Sequence, residues 1–178
     1  MTTPRPPLDI AVLVEQHASL LYGLARRLSG CSADAEDLVQ QTFLAAQSHG
    51  DQLRDIERVR AWLCTILRNE FLKLVRQRGR SRVVSIDAIG DVSDAVPVES
   101  PFDNEALQLA LDALPVDFRL PLVMYYFEEL NYREIADELD VPIGTVMSRL
   151  SRGKARLRER LESQPTSAPS VPTMSASP

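Results

Sequence analysis

The stretch YREIADELDVPIGTVMSRLSRGKARLRERL, Tyr132 to Leu161, decides how the rest of the chain is read. In its first half Ile135, Ala136 and Leu139 recur at the three- and four-residue spacing of one helical face. Asp140-Val141-Pro142 interrupts that helix, because proline lacks an amide hydrogen and disfavours helical geometry at the residue before it, yet suits the first turn of a new helix. In the second helix Val146, Leu150 and Leu157 share a face, which leaves Thr145, Ser148, Arg149, Ser151 and Arg152 to point elsewhere. A short brace helix followed by a polar, basic helix is the arrangement that fits the DNA major groove, which is wide enough to admit one helix. Two helices around a tight turn also occur in ordinary helical bundles, and a basic helix end suits the helix dipole. Charge tips the balance: Pro142–Glu162 carries six basic and two acidic residues in a chain of net charge −5, so the basic patch is a directed one.

Leu107, Leu111 and Leu114 before Pro115, then Leu120, Leu122, Val123 and Tyr126, extend this helical module over 104–162, with the helix-turn-helix at 132–161. Upstream, residues 83–103 hold five acids and no base, punctuated by Gly90, Pro97 and Pro101, and read as a flexible acidic linker. Residues 8–82 read as a second helical module. A first helix over about 8–28 ends at Ser29-Gly30. A second, opening after Ser32 as N-cap, turns Leu38, Phe43 and Leu44 inward. A third, over about 57–78, carries Val59, Trp62, Leu63, Ile66, Leu67, Phe71, Leu74 and Val75. That helix runs into another basic segment: Arg68–Arg82 has six basic residues and one acid. Residues 1–7 and the Pro/Ser-rich tail 163–178 are expected to be disordered. The fold class is therefore all-α, with two small helical domains joined by the linker.

No run approaches the length of a membrane span and the N-terminus lacks a secretory apolar segment, so the expected location is cytoplasmic. Cys31 and Cys64 form neither a CxxC pair nor a metal quartet, and with only His17 and His49 a catalytic or metal centre has little to build from. Asp34, Glu36 and Asp37 could be drawn as a metal site, but acids at a helix start are more simply explained by the dipole. The expectation is a protein that is not an enzyme and uses no metal or cofactor. A repressor using the C-terminal helices alone would leave the N-terminal module, with its own basic helix, unexplained.

DAEDLVQQTFLAA (34–46) with RAWLCTILRNEFLKLVRQRGR (60–80) resembles region 2 of the bacterial sigma-70 family in its extracytoplasmic-function group. ALDALPVDFRLPLVMYYFEELNYREIADELDVPIGTVMSRLSRGKARL (110–157) resembles region 4 of the same family. The resemblance implies an alternative sigma factor that binds core RNA polymerase, recognises minus-35 and minus-10 promoter elements and initiates transcription. An anti-sigma factor is a further partner that it suggests.

By the same resemblance, Asp34, Glu36, Asp37, Gln40 and Gln41 lie where region 2 docks on polymerase, although Gln41 replaces an acid often found there. Asn69 matches the position that meets an unpaired minus-10 base, beside the loop 49–58; Arg68, Lys73, Arg76 and Arg78 fit phosphate contacts, a grip that weakens steeply with salt. Thr145, Ser148, Arg149, Ser151 and Arg152 match the minus-35 surface, and Met147 stands where a basic residue is frequent.

Overall fold

The computed structural model describes residues 9–53, 55–81 and 104–163, and every regular element among them is helical. The expected disordered N-terminus 1–7, the linker 83–103 and the tail after Ser163 lie outside the described residues. Helix α1 (Ile10–Ser29) opens at Asp9, whose carboxylate accepts from the amides of Ala11 at 3.0 Å and Val12 at 3.4 Å. It closes at Gly30, whose φ of +78° is the left-handed conformation that lets its N–H reach back to Arg26 O at 3.0 Å. Helix α2 (Ser32–Ser48) starts one residue earlier than the sequence suggests. Cys31 occupies the N-cap without a capping bond, and the Ser29 hydroxyl donates to the Cys31 carbonyl at 3.0 Å to fix the turn.

Leu44 of α2 does not lie on the inward face expected of it. Leu38 and Phe43 are buried with Ala35, Thr42 and Ala46, but Leu44 is 55% exposed. At 100° per residue Leu44 falls nearly opposite the middle of that buried arc, and its apolar character does not move it there.

Two 3-10 turns, Gly50–Gln52 and Ile56–Arg58, lead into α3 (Val59–Ser81), which buries Leu63, Cys64, Leu67 and Phe71 against α1 and α2. The C-terminal module follows as α4 (Asn104–Asp112), α5 (Val116–Tyr126), α6 (Tyr132–Leu139) and α7 (Ile143–Ser163). The brace helix α6 is fixed at its start by a capping box: Asn131 Oδ1 accepts from Arg133 N at 3.0 Å and Glu134 N at 3.1 Å, while Glu134 Oε2 accepts from Asn131 N at 2.8 Å. Such a cap contributes about 1 kcal/mol. Asp140, in left-handed geometry at φ 51°, ends α6 and turns the chain into α7. Val146 and Leu150 are buried as the periodicity predicts, and each stabilises the module by roughly 1.5–3 kcal/mol. Gly153 is buried too; a Cβ there would stand 3.0 Å from Leu122 Cδ1, so this glycine sets how near α7 approaches α5.

The two modules do not stand apart. Helix α1 packs on α4 and α5, and the buried apolar side chains form one contiguous cluster drawn from both modules.

Candidate nucleic-acid interface

Opposite the buried edge of α7 runs an exposed stripe: Gly144, Met147, Ser148, Ser151, Arg152 and Ala155, at the spacing of one helical face. Ser148, Ser151 and Arg152 of the expected minus-35 set are thus brought together in the open. Thr145 and Arg149 flank the stripe and are half-buried, and Arg149 is engaged by Asp117 at 3.3 Å. Met147, 53% exposed, forms one edge of the stripe. The sequence signal for it was present, since 144, 147, 148 and 151 share a face, but an apolar residue does not announce itself as a DNA contact. Other bases of α7 have structural work: Lys154 Nζ lies 5.0 Å from the Tyr125 ring centroid and Arg156 Cζ lies 4.6 Å from that of Phe118. Such cation–π contacts draw those charges back toward the protein.

On the other module, Trp62, Ile66, Asn69, Lys73 and Arg76 follow one face of α3 and, with His49 and Gln52, line an open cleft of about 340 Å³. Asn69 is exposed there with its amide available to donate and accept, and Arg76 is exposed one turn beyond Lys73. Lys73 pairs with Glu70 at 2.7 Å on the surface, a contact that solvent keeps weak. Phe71 is core, and Trp62 is half-buried on the cleft wall.

Two expected phosphate contacts are placed differently. Arg78 holds Asp34 by two hydrogen bonds, 2.7 and 2.6 Å, which raises the Arg78 pKa through that bond and ties the start of α2 to the end of α3. Arg68 is only 4% exposed: its guanidinium faces the C-terminal module, where it binds Glu128, donates to Glu138 Oε2 at 2.6 Å and donates to Thr65 Oγ1 at 3.0 Å in its own helix. The cleft therefore does not include Arg68. Burial pushes the Glu128 carboxyl above its ordinary value despite the nearby guanidinium, and pushes the Cys64 thiol up to about 12.

The expected polymerase-docking residues divide in the same way. Glu36, Asp37, Gln40 and Gln41 are exposed on α2 and surround Leu44, whereas Asp34 is engaged by Arg78. An apolar residue ringed by polar ones is the usual anatomy of a protein contact, and Leu44 is the member of this face that its apolar chemistry hides from a sequence reading. Among the described residues no group of three or more His, Cys, Asp or Glu side chains is arranged to hold a metal ion, and no helix is long and apolar enough to cross a membrane.

Comparison with known proteins matches both modules. Residues 13–81 match the family described as Sigma-70 region 2, and residues 104–157 match that described as Sigma-70, region 4. The chain is 40% identical over 163 residues to the ECF RNA polymerase sigma factor SigE of Mycolicibacterium smegmatis, spanning 84% of this chain and 60% of that protein. It is 35% identical over 154 residues to SigL of Mycobacterium tuberculosis strain H37Rv, spanning 84% and 87%. Among solved structures, the sigma factor RpoE of Bartonella quintana, in complex with the anti-sigma factor NepR, superposes with a TM-score of 0.71 at 32% identity, covering 88% of this chain and 98% of that one. CnrH, in complex with the cytosolic domain of CnrY, superposes with a TM-score of 0.59 at 26% identity, covering 86% and 87%.

Proposed function

The chain belongs to the sigma-70 family, in its extracytoplasmic-function group, and on that footing we propose that it is an alternative sigma factor that directs core RNA polymerase to promoters and initiates transcription there. The observation that carries the reading is the pairing of both regions, in order, with two separate nucleic-acid-facing surfaces: the α7 stripe and the α3 cleft. The α7 stripe presents hydroxyls and a guanidinium to base edges and phosphates of the minus-35 duplex. The cleft beside Asn69 takes an unpaired minus-10 base, whose edge an amide can both donate to and accept from, and Lys73 and Arg76 hold the adjoining phosphates. Core polymerase docks on the exposed α2 face of Glu36, Asp37, Gln40, Gln41 and Leu44. No chemical step falls to this chain; its activity is binding and positioning.

An anti-sigma factor is a third partner, supported by the Bartonella relative solved in complex with one. The Bartonella superposition covers more of the chain than either module contains, so it extends over both.

Run-off transcription with purified core polymerase on a library of bacterial promoter fragments tests the reading. Initiation that requires both protein and core, from fragments sharing an upstream motif, and weakened by Asn69→Ala and by Arg152→Ala, is the expected result. Transcription of no fragment, with duplex DNA still bound specifically in the absence of polymerase, would make the protein a repressor instead.

A further inference from the structure

The α3 cleft contains an acid. Glu70 lines it together with Asn69, Lys73 and Arg76, and the Glu70 side chain is only 18% exposed. A carboxylate in this place repels the phosphates that Lys73 and Arg76 attract, and so weakens the grip on nucleic acid of any sequence. Glu70 Oε1 accepts from Lys73 Nζ at 2.7 Å, which is reason enough for an acid three residues before a lysine on an open helix surface. It is no reason to set that acid into the wall of a nucleic-acid cleft. The pairing also uses little of the group: an ionised carboxylate only accepts and has about four lone-pair sites, and among the described residues Lys73 alone donates to this one.

Most other groups of the cleft cannot tell one base from another. Asn69 and Gln52 carry amides, which hold a donor and an acceptor and can turn over to suit either. Trp62, Ile66 and Ala45 supply apolar wall, against which every base has a flat face to pack. Lys73 and Arg76 are donors, but both are exposed, and the phosphates that flank a base are their strongest acceptors. Two groups remain with fixed roles toward the base. Glu70 can only accept. His49 Nδ1 lies 2.9 Å from Ala45 O, and a carbonyl only accepts, so that nitrogen carries the proton and the neutral ring offers Nε2 as a second acceptor. An unpaired base opens its Watson–Crick edge to such groups. Cytosine, adenine and guanine each bring an exocyclic amine to that edge, with two hydrogens to donate. Thymine is the one DNA base without it, and its single donor sits between two carbonyls that would face the acceptors of the cleft.

We propose that Glu70 makes the minus-10 cleft selective for a base with an exocyclic amine and sets it against thymine. Glu70 is then the specificity-determining residue of this contact, while Asn69 adds grip without choice. The inference rests on the transcription reading and states which class of base the cleft of that reading accepts.

The test uses the full chain bound to core polymerase, on a promoter fragment that the run-off library returns, with the minus-10 element held unpaired by mismatches. Each minus-10 position, on either strand in turn, carries thymine or 5-methylcytosine. These two bases share their shape and methyl group and differ in the amine and the ring proton that changes with it. The ratio of their dissociation constants at one position therefore cancels phosphate grip, stacking and any loss of fold. At one position the parent protein should bind 5-methylcytosine about tenfold more tightly than thymine, within the range that a specific base contact supplies. Glu70→Gln keeps the size of the side chain but ends it in an amide that can turn over, and should bring that ratio to about twofold or less while the ratios at other positions stay as they were. The same change frees Lys73 for phosphate, which raises the affinity for both bases alike and drops out of the ratio. If no position favours 5-methylcytosine, or if the preference survives Glu70→Gln, the proposal is overturned and Glu70 is left as a partner of Lys73. Fragments that support initiation without such a preference would sink this inference alone, whereas a library from which nothing is transcribed would take the transcription reading with it.

Discussion

Replacing Gly153 by leucine tests whether the approach of α7 to α5 is set where the structure puts it. A Cβ at this position would lie 3.0 Å from Leu122 Cδ1, 3.3 Å from Leu122 Cγ and 3.4 Å from Phe118 Cβ, before any further atoms of a leucine are placed. Overpacking of this kind costs about 1–3 kcal/mol, against which leaving glycine for a good helix former returns about 1 kcal/mol. Gly153→Leu should therefore lose up to about 2 kcal/mol in urea unfolding followed by circular dichroism. Leu122 is 1% exposed, so Leu122→Ala alone should cost about 2–5 kcal/mol through the cavity it leaves. The space vacated by Leu122 is the space the new leucine needs. The double variant should consequently be at least about 1 kcal/mol more stable than the sum of the two losses predicts. Strict additivity would show that these atoms do not meet and that something other than Gly153 positions α7.

At Gly30 two costs can be separated: Asn tolerates the φ of +78° better than Ala, but either Cβ would meet Asp112 Oδ1 at 2.6 Å, so Gly30→Asn should destabilise nearly as much as Gly30→Ala in thermal unfolding, and full tolerance of Asn would remove the close approach from the argument. Burial raises the pKa of both Glu128 and Asp112, so the folded chain takes up protons that the unfolded chain releases. Their contribution to stability is thus full below the unfolded values and lost as pH rises through the raised ones; Tm followed upward from the ordinary carboxylate range should decline less steeply in Glu128→Gln with Asp112→Asn, and parallel profiles would count against these two groups. On the α7 stripe, the only apolar feature of a major-groove edge that Met147 can meet is a thymine methyl, so replacing thymine by uracil at one minus-35 position should weaken binding for the parent protein and not for Met147→Ala; equal uracil sensitivity of both would exclude that contact.

Much of this was legible in the chain because each helix carries its own punctuation. Gly30, Asp140 and Pro142 mark ends and starts by backbone geometry alone, and the period of Ile135, Val146 and Leu150 reports directly which side is covered. The misreadings share a cause. Leu44 reads as inward by its chemistry although its angular position is outward, and Arg68 reads as outward by its charge although two glutamates sixty and seventy residues away bury it. Pairings at that separation leave no local period. The contact of α1 with α4 and α5 was invisible for the same reason, and a buried glycine such as Gly153 offers the sequence no side chain from which its neighbour could be inferred.

The Asp34–Arg78 pair joins two surfaces that the proposed function keeps separate. Asp34 belongs by position to the helix offered to polymerase, Arg78 to the helix offered to DNA. Neutralising Asp34 therefore removes an anion from one surface and simultaneously adds an uncommitted cation to the other. Each cation that reaches a phosphate displaces about one condensed counterion, so Asp34→Asn should steepen the dependence of DNA affinity on salt by nearly one unit of log–log slope. A substitution chosen to probe polymerase docking would be recorded as a gain in nucleic-acid affinity, and the two effects would oppose each other in any assay that reads only transcript.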